Sequence, residues 1–409
     1  MPTETQTIPK GYKQTEIGFI PADWDVKELR DIVDFTNGKA HENVISENGD
    51  FKVVNSKFVS TQGEVFKTSN ANLCPLSIGD IAMVMSDIPN GKALAKCFFI
   101  DKDNRYTLNQ RICSFRSLGS NSRYLLYKLN RNKYFLDFDS GSGQTNLKKS
   151  EVLNCLIALP SNKTEQTAIA TTLSDADTLI EKIKILIKKK KNIKQGVIQE
   201  LLTGKKRLPG FDDEWKIFKL KDITTFRRGS FPQPYGLDKW YDDSFGSPFI
   251  QVFDVDDNMR IKEETKRRIS REAQEMSVFV KSGSIVLTIQ GSIGRIAITH
   301  YDAYVDRTLL LFESFLVPIN KYFFIYSIFV LFEKEKEKAP GETLKTITKE
   351  SLSDFTISIH SLQEQTAIAN ILLDMDSEIE RLESELTKYK DIKQGMMQTL
   401  LTGKIRLIK

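Results

Sequence analysis

A chain of 409 residues has room for two or three domains with their own cores, and 40% hydrophobic with 28% charged residues is the mixture of an ordinary globular protein. No apolar run approaches the roughly 20 residues that span a bilayer, and the first ten residues lack the apolar stretch of a secretory leader, so no membrane or exported class is expected. The net charge of +5 is too small to declare nucleic-acid binding by itself, and four cysteines without CxxC spacing (Cys74, Cys97, Cys113, Cys155) read as reduced thiols of a cytoplasmic protein.

In chain order, the first marker is a block made of Trp24, Leu29, Asp31, Ile32, Phe35 and Gly38. The same residues return with the same internal spacing as Trp215, Leu220, Asp222, Ile223, Phe226 and Gly229. Residues 39–146 follow the first block. They carry short β-rich runs at 81–85, 96–100 and 111–115, then a short helix over Ser122–Leu129. Residues 230–346 follow the second block, with runs at 284–290 and 295–300 and a helix over Lys321–Lys338 whose stretch Tyr322–Phe332 reads as buried. Apart from scattered turns, the two regions share little. Each reads as α+β with a mixed or antiparallel sheet.

Each half closes with further repeats. Residues 147–160 resemble 347–360. From there, 165–208 and 364–407 are identical at 25 of 44 positions without a gap, including EQTAIA, IKQG and LLTGK. A helix explains the missing gaps, because an insertion would rotate everything after it. Apolar residues keep a 3.5-residue period in both copies, which is the mark of a coiled-coil seam. In the first the seam is Ile169, Leu173, Ile180, Ile183, Ile187, Val197 and Leu201. In the second it is Ile368, Leu372, Ile379, Leu382, Leu386, Met396 and Leu400. Lys190, Lys194 and Lys393 interrupt the seams. The nearest partner for each seam is the other, paired antiparallel, which predicts two variable domains related by a pseudo-twofold axis; homodimerisation through each seam is the alternative. Gly204-Lys205 and Gly403-Lys404 read as helix C-termini with a basic last turn. Ten Lys/Arg against two Glu between Glu181 and Arg207 suit a phosphate backbone or an acidic partner.

Polar loops at corresponding places in both halves are the candidate readers of a ligand. In the first half they are Ser86–Lys92, Asn109-Gln110-Arg111 and Ser140–Asn146, with Lys92, Gln144 and Asn146 as contacts and Lys148 beside them. In the second they are Arg227–Ser230, Gln290–Arg295 and Gly341–Thr346, with Arg227, Arg228, Gln290, Arg295, Lys345 and Thr346. Arg, Lys, Asn and Gln make paired hydrogen bonds to base edges, and small residues let backbone approach phosphate.

Enzyme signatures are missing. The chain has no GxxxxGK[ST] loop, no NPPY- or DPPY-type motif and no dinucleotide fingerprint. His41, His300 and His360 lie far apart in sequence and read as isolated surface or turn residues, so neither a metal nor a catalytic residue is expected.

Two divergent regions alternating with two near-identical helices, each half opening on a Trp block such as GYKQTEIGFIPADW, resemble the specificity (S) subunit of a Type I restriction–modification system. The resemblance spans essentially the whole chain. It implies a non-catalytic subunit with target-recognition domains at 1–160 and 208–360 and long helices at 161–207 and 361–409. Each domain would read half of an asymmetric, split sequence in double-stranded DNA, and the antiparallel coiled coil would set the spacer. Two methyltransferase subunits would dock, and two restriction subunits join. S-adenosylmethionine, ATP and Mg²⁺ would belong to those partners, with none bound by this chain. A recognition subunit of a fused, Type IIB-like system and a coiled-coil scaffold or decoy are the alternatives.

Overall fold

The computed structural model describes residues 8–87, 92–139, 145–338 and 347–407. It divides into two compact units, one built from Met1–Lys184 with Ser384–Lys409 and the other from Ile185–Glu383. Both divisions fall inside the long helices Lys163–Leu201 and Leu362–Leu400, each of 39 residues, so each unit holds part of both.

The first unit is organised around a four-stranded antiparallel sheet in the order Val33–Asn37, Ile112–Ser117, Ile81–Val84, Cys97–Phe99. All four residues of Ile81–Val84 are buried, because side chains from both faces enter core. Ile81 and Met83 join one cluster with Phe115 and Trp24, while Ala82 and Val84 join another with Phe58 and Leu108. A smaller sheet sets Tyr106–Leu108 parallel to Phe51–Val54, which pairs antiparallel with Lys67–Ser69. The Trp block forms a strand, Trp24–Glu28, paired antiparallel with Leu156–Pro160.

The second unit repeats this plan. Its main sheet runs Thr224–Arg228, Leu309–Phe315, Ile285–Thr288, Ile296–Ile298, and Lys216–Lys219 pairs with Thr356–Ile359. Its smaller sheet has a fourth strand, Val278–Val280. The helix Lys321–Lys338 buries Phe323, Phe324, Ile325, Tyr326 and Phe332, so its apolar residues face core nearly all round.

Within each unit the two helices run antiparallel. In the second unit Lys190 pairs with Glu378 at 2.7 Å and Lys194 with Asp376, so one helix retreats as the other advances. In the first, Lys393 pairs with Asp177. Ile169, Leu173, Ile180, Ile183, Ile187, Leu201, Ile368, Leu372, Ile379, Leu382 and Leu400 are buried. Leu386, Met396 and Val197 are only partly so; Met396 packs on the first unit's core and Val197 on the second's. Near Val197 the periodic reading is one residue off: Ile198 is 2% exposed, because the helix end turns toward Phe323 and Tyr326 as well as toward its partner helix. Part of the basic run is absorbed here too, since Lys190, Lys191 and Lys194 meet Glu378, Glu383 and Asp376. An acidic partner for those lysines is the second helix of the same chain.

The repeated motifs build one socket twice. In the first unit the Glu165 carboxylate, wholly buried, accepts from the Trp24 indole at 3.2 Å and from the Arg406 guanidinium, which also bridges to Asp23 at 2.7 Å. In the second, Glu364 accepts from Trp215 at 3.3 Å and from Arg207 at 2.7 Å. The next residue is equally spoken for. Gln166 accepts from the Asn121 backbone and donates to the Pro160 carbonyl, and Gln365 does the same with Asn320 and His360. Gly403 has φ +70°, and a Cβ there would stand 2.4 Å from Pro21, so the helix ending needs glycine to reach the Trp block.

Two histidines are core residues, contrary to the surface reading. His41 is 1% exposed and His360 7%, and only His300 lies at the surface, beside Glu263. His360 stacks on Trp215 at 4.3 Å where the first unit has Pro160, an apolar use that isolated spacing does not reveal. The four cysteines are free and buried.

Candidate nucleic-acid interface

A single junction, made once in each unit, gathers the exposed polar loops. In the first unit the strand Val33–Asn37 ends at Gly38, where an added Cβ would lie 1.9 Å from the Asn109 carbonyl oxygen; only glycine lets the two segments touch. The Gly38 amide donates to Ile112 O at 2.9 Å and the Gln110 amide to Lys39 O at 2.9 Å. Arg111 takes a left-handed φ of +69°, and its carbonyl accepts from the Met85 amide. The Met85 carbonyl in turn accepts from the Leu147 amide, beside the strand pair Ser86–Asp87 with Thr145–Asn146. Lys39, Gln110, Arg111, Asn146 and Lys148 are thereby brought onto one rim with exposed side chains, and Asn109 is half-buried beneath them. His41 braces the rim from below. Its Nδ1 lies 2.7 Å from Lys39 O, which only accepts, so Nδ1 carries the proton and Nε2 accepts from the Thr107 hydroxyl. Gln110 donates to Glu42 at 2.6 Å, and Lys92 is exposed.

The second unit repeats the junction with other side chains. A Cβ on Gly229 would lie 2.3 Å from the Asp306 carbonyl oxygen, the Gly229 amide donates to Leu309 O, and the Ser230 amide to Val305 O. The Ile289 amide donates to Thr308 O at 2.9 Å and the Ile347 amide to Ile289 O at 3.1 Å, as Met85 and Leu147 do in the first unit. Asp306 is wholly buried. One carboxylate oxygen accepts from the Thr308 amide at 2.8 Å and hydroxyl at 2.6 Å, the other from the Tyr235 hydroxyl at 2.9 Å. Burial first, and the Asp306 charge second, push the Tyr235 phenol well above its usual range, which keeps it a donor.

The predicted residues of this half divide. Arg227 and Arg228 lie exposed at the strand end, Arg227 in an open pair with Glu313 and Arg228 donating to the Arg307 carbonyl. Gln290 is half-buried next to Ile289. Arg295 is occupied by the fold: Nε and Nη2 meet Asp257 at 2.6 and 2.9 Å and Nη1 donates to Val255 O. It tethers that loop and has little left for a ligand. Gln144, Lys345 and Thr346 lie outside the described residues. Sequence reasoning missed Lys39 and Arg307. Arg307 follows Asp306 as Gln110 follows Asn109, but loops of unequal length hide the correspondence until both glycine junctions are seen.

Among the described residues no group of His, Cys, Asp and Glu side chains is placed to hold a metal ion, and no described helix is long and apolar enough to cross a membrane.

A framework made twice, carrying at corresponding places a rim of different polar side chains, defines a two-headed recognition protein. Comparison with known proteins sharpens this. The family model described as Type I restriction modification DNA specificity domain matches residues 21–193 and again 212–388, and the chain belongs to that family. Its relatives include the putative type I restriction enzyme MjaX specificity subunit of Methanocaldococcus jannaschii, 24% identical over 97% of both chains. The MjaVIII specificity subunit of the same organism is 24% identical over 95% of this chain and 94% of its own. A solved Type-I restriction-modification S subunit from M. genitalium superposes with a TM-score of 0.60 over 92% of this chain and 96% of that one; at 16% identity the likeness concerns the fold alone. The protein is a DNA-recognition subunit with two specificity domains, one in each half of the chain.

Proposed function

We propose that each unit reads one half of a bipartite, asymmetric sequence in double-stranded DNA, and that the antiparallel helices set the length of the unread spacer. The observation that carries this reading is the junction of Gly38 with Asn109 and of Gly229 with Asp306: one backbone device, made twice, presenting Gln110 in one unit and Arg307 in the other. Unlike readers on a like framework suit unlike half-sites. Two heads on a stiff connection gain affinity because the second contact is intramolecular.

The subunit acts without catalysis of its own, in the cytoplasm. Two methyltransferase subunits dock on it and two restriction subunits join them, and S-adenosylmethionine, ATP and Mg²⁺ are held by those partners. Exposed apolar residues on the helices favour docking there: Ile185, Leu186 and Ile193 lie 60%, 38% and 44% exposed, more than an unpartnered helix face favours.

Inserting four residues, about one helical turn, within 171–192 tests the spacer role. The methylated motif should keep both half-sites and change only the number of bases between them. An intact complex that methylates at the original spacing would overturn it.

A further inference from the structure

We propose that Arg307 is a specificity-determining residue of the second unit, hydrogen-bonding the edge of a guanine in the half-site which that unit reads. This rests on the DNA-reading function above and goes further in naming the residue and the base.

Three observations converge on it. First, its backbone is held on both sides. Asp306 before it is wholly buried and bound by Thr308 and Tyr235, and the Arg307 carbonyl accepts from Arg228. Second, its side chain is exposed and has no ion pair among the described residues, whereas Arg227, Arg267 and Arg295 of the same unit each meet a carboxylate. Third, its guanidinium lies 5.1 Å from the centre of the Tyr235 ring, whose hydroxyl is tied to Asp306. Stacking against a fixed ring limits the rotamers that a long side chain must give up on binding.

A guanidinium anchored at the backbone, pre-oriented by an aromatic face and carrying no carboxylate has its hydrogen-bond donors available. Their fork matches O6 and N7 of guanine in the major groove. A phosphate-positioning residue has no need of such anchoring, since any mobile cation serves. In the first unit the corresponding place holds Gln110 on an equally fixed loop, so the position, and not only this arginine, is where the two heads differ.

The test uses the full chain co-expressed with its methyltransferase partner, reading the methylated motif across the host genome and the binding of matched duplexes. With Arg307→Ala, the first half-site should stay as it is, and the second should lose its preference for guanine at one position. Affinity for the original site should fall on the order of 10- to 100-fold. Arg307→Lys should keep the salt dependence of binding but relax the same position, because an ammonium lacks the fork. An unchanged motif with equal loss on all duplexes and a shallower salt dependence would make Arg307 a phosphate contact and overturn the proposal. Failure of the unsubstituted complex to methylate any bipartite motif would instead strike at the DNA-reading function itself.

Discussion

Arg406 and Glu165 stand 241 positions apart, yet the guanidinium of one closes both carboxylate oxygens of the other, with the Trp24 indole completing the socket. The relationship explains why the chain carries the same helix ending in its middle and near its end. Each ending supplies an arginine to the glutamate that begins the other helix, Arg406 to Glu165 and Arg207 to Glu364. The first unit is therefore closed by residues from opposite ends of the sequence.

Because Glu165 is buried, removing Arg406 leaves a carboxylate with only an indole donor. Arg406→Ala should destabilise the first unit by about 3 kcal/mol, and Glu165→Gln by less, because Arg406 is partly exposed and keeps its bridge to Asp23. The double variant should cost clearly less than both together, since the uncompensated charge is gone. Denaturant unfolding of all four proteins makes the cycle. Strictly additive losses would contradict the socket.

Gly403 and Gly204 share a left-handed conformation but not their surroundings. A Cβ at 403 meets Pro21 at 2.4 Å, while at 204 it meets the edge of Trp215 at 3.3 Å. Gly403→Ala should lower the thermal midpoint by more than Gly204→Ala, with backbone strain alone contributing about 1 kcal/mol in each. Equal shifts would show that the Pro21 approach is relieved without cost.

The lysines that break the seams have a shared role. Lys194 meets Asp376, which also accepts from the Tyr326 hydroxyl; Lys393 meets Asp177, which accepts from Tyr127 at 2.8 Å. Paired polar residues in an apolar seam fix its register more than its strength. Replacing both pairs by leucine, Lys194 with Asp376 and Lys393 with Asp177, should leave stability near that of the parent, or above it, while broadening the mass distribution in light scattering as alternative pairings open. An unchanged distribution would contradict a register role.

Lys128 places its amine among buried groups, donating to the Leu401 carbonyl at 3.1 Å, and burial lowers its pKa to about 8. The unfolded chain, with an ordinary lysine near 10.5, therefore binds more protons than the folded one between these values. The contribution of this group to stability should rise from pH 8 to 10.5 and be at its least favourable below pH 8. Comparing unfolding of the parent and Lys128→Met across pH 7–10.5 isolates it. A difference between them that does not vary with pH would contradict the assignment.

Much of the framework is legible in the sequence because helices and repeats leave periodic marks. Ile169, Leu173, Ile368 and Leu372 declare their seam, and the short helix Ser122–Leu129 and the buried run Ile81–Val84 stand out by composition. The socket is not legible, because Trp24, Glu165 and Arg406 are joined only by folding. His41 and His360 mislead for the same reason: a buried imidazole is recognised by its neighbours, here Thr107 and the Trp215 ring. In the recognition rims, residue types point to loops, but Lys39 and Arg307 emerge only when Gly38 and Gly229 are seen pressed on corresponding carbonyls. Arg295 shows the converse. Its residue type suits a reader, and Asp257 claims it.

The most direct measurement is single-molecule sequencing of the host methylome before and after deletion of this gene, with the partner methyltransferase shown to be expressed. A two-headed reader predicts the loss of one bipartite, asymmetric methylated motif, both halves disappearing together while other motifs remain. A methylome unchanged by the deletion would contradict it.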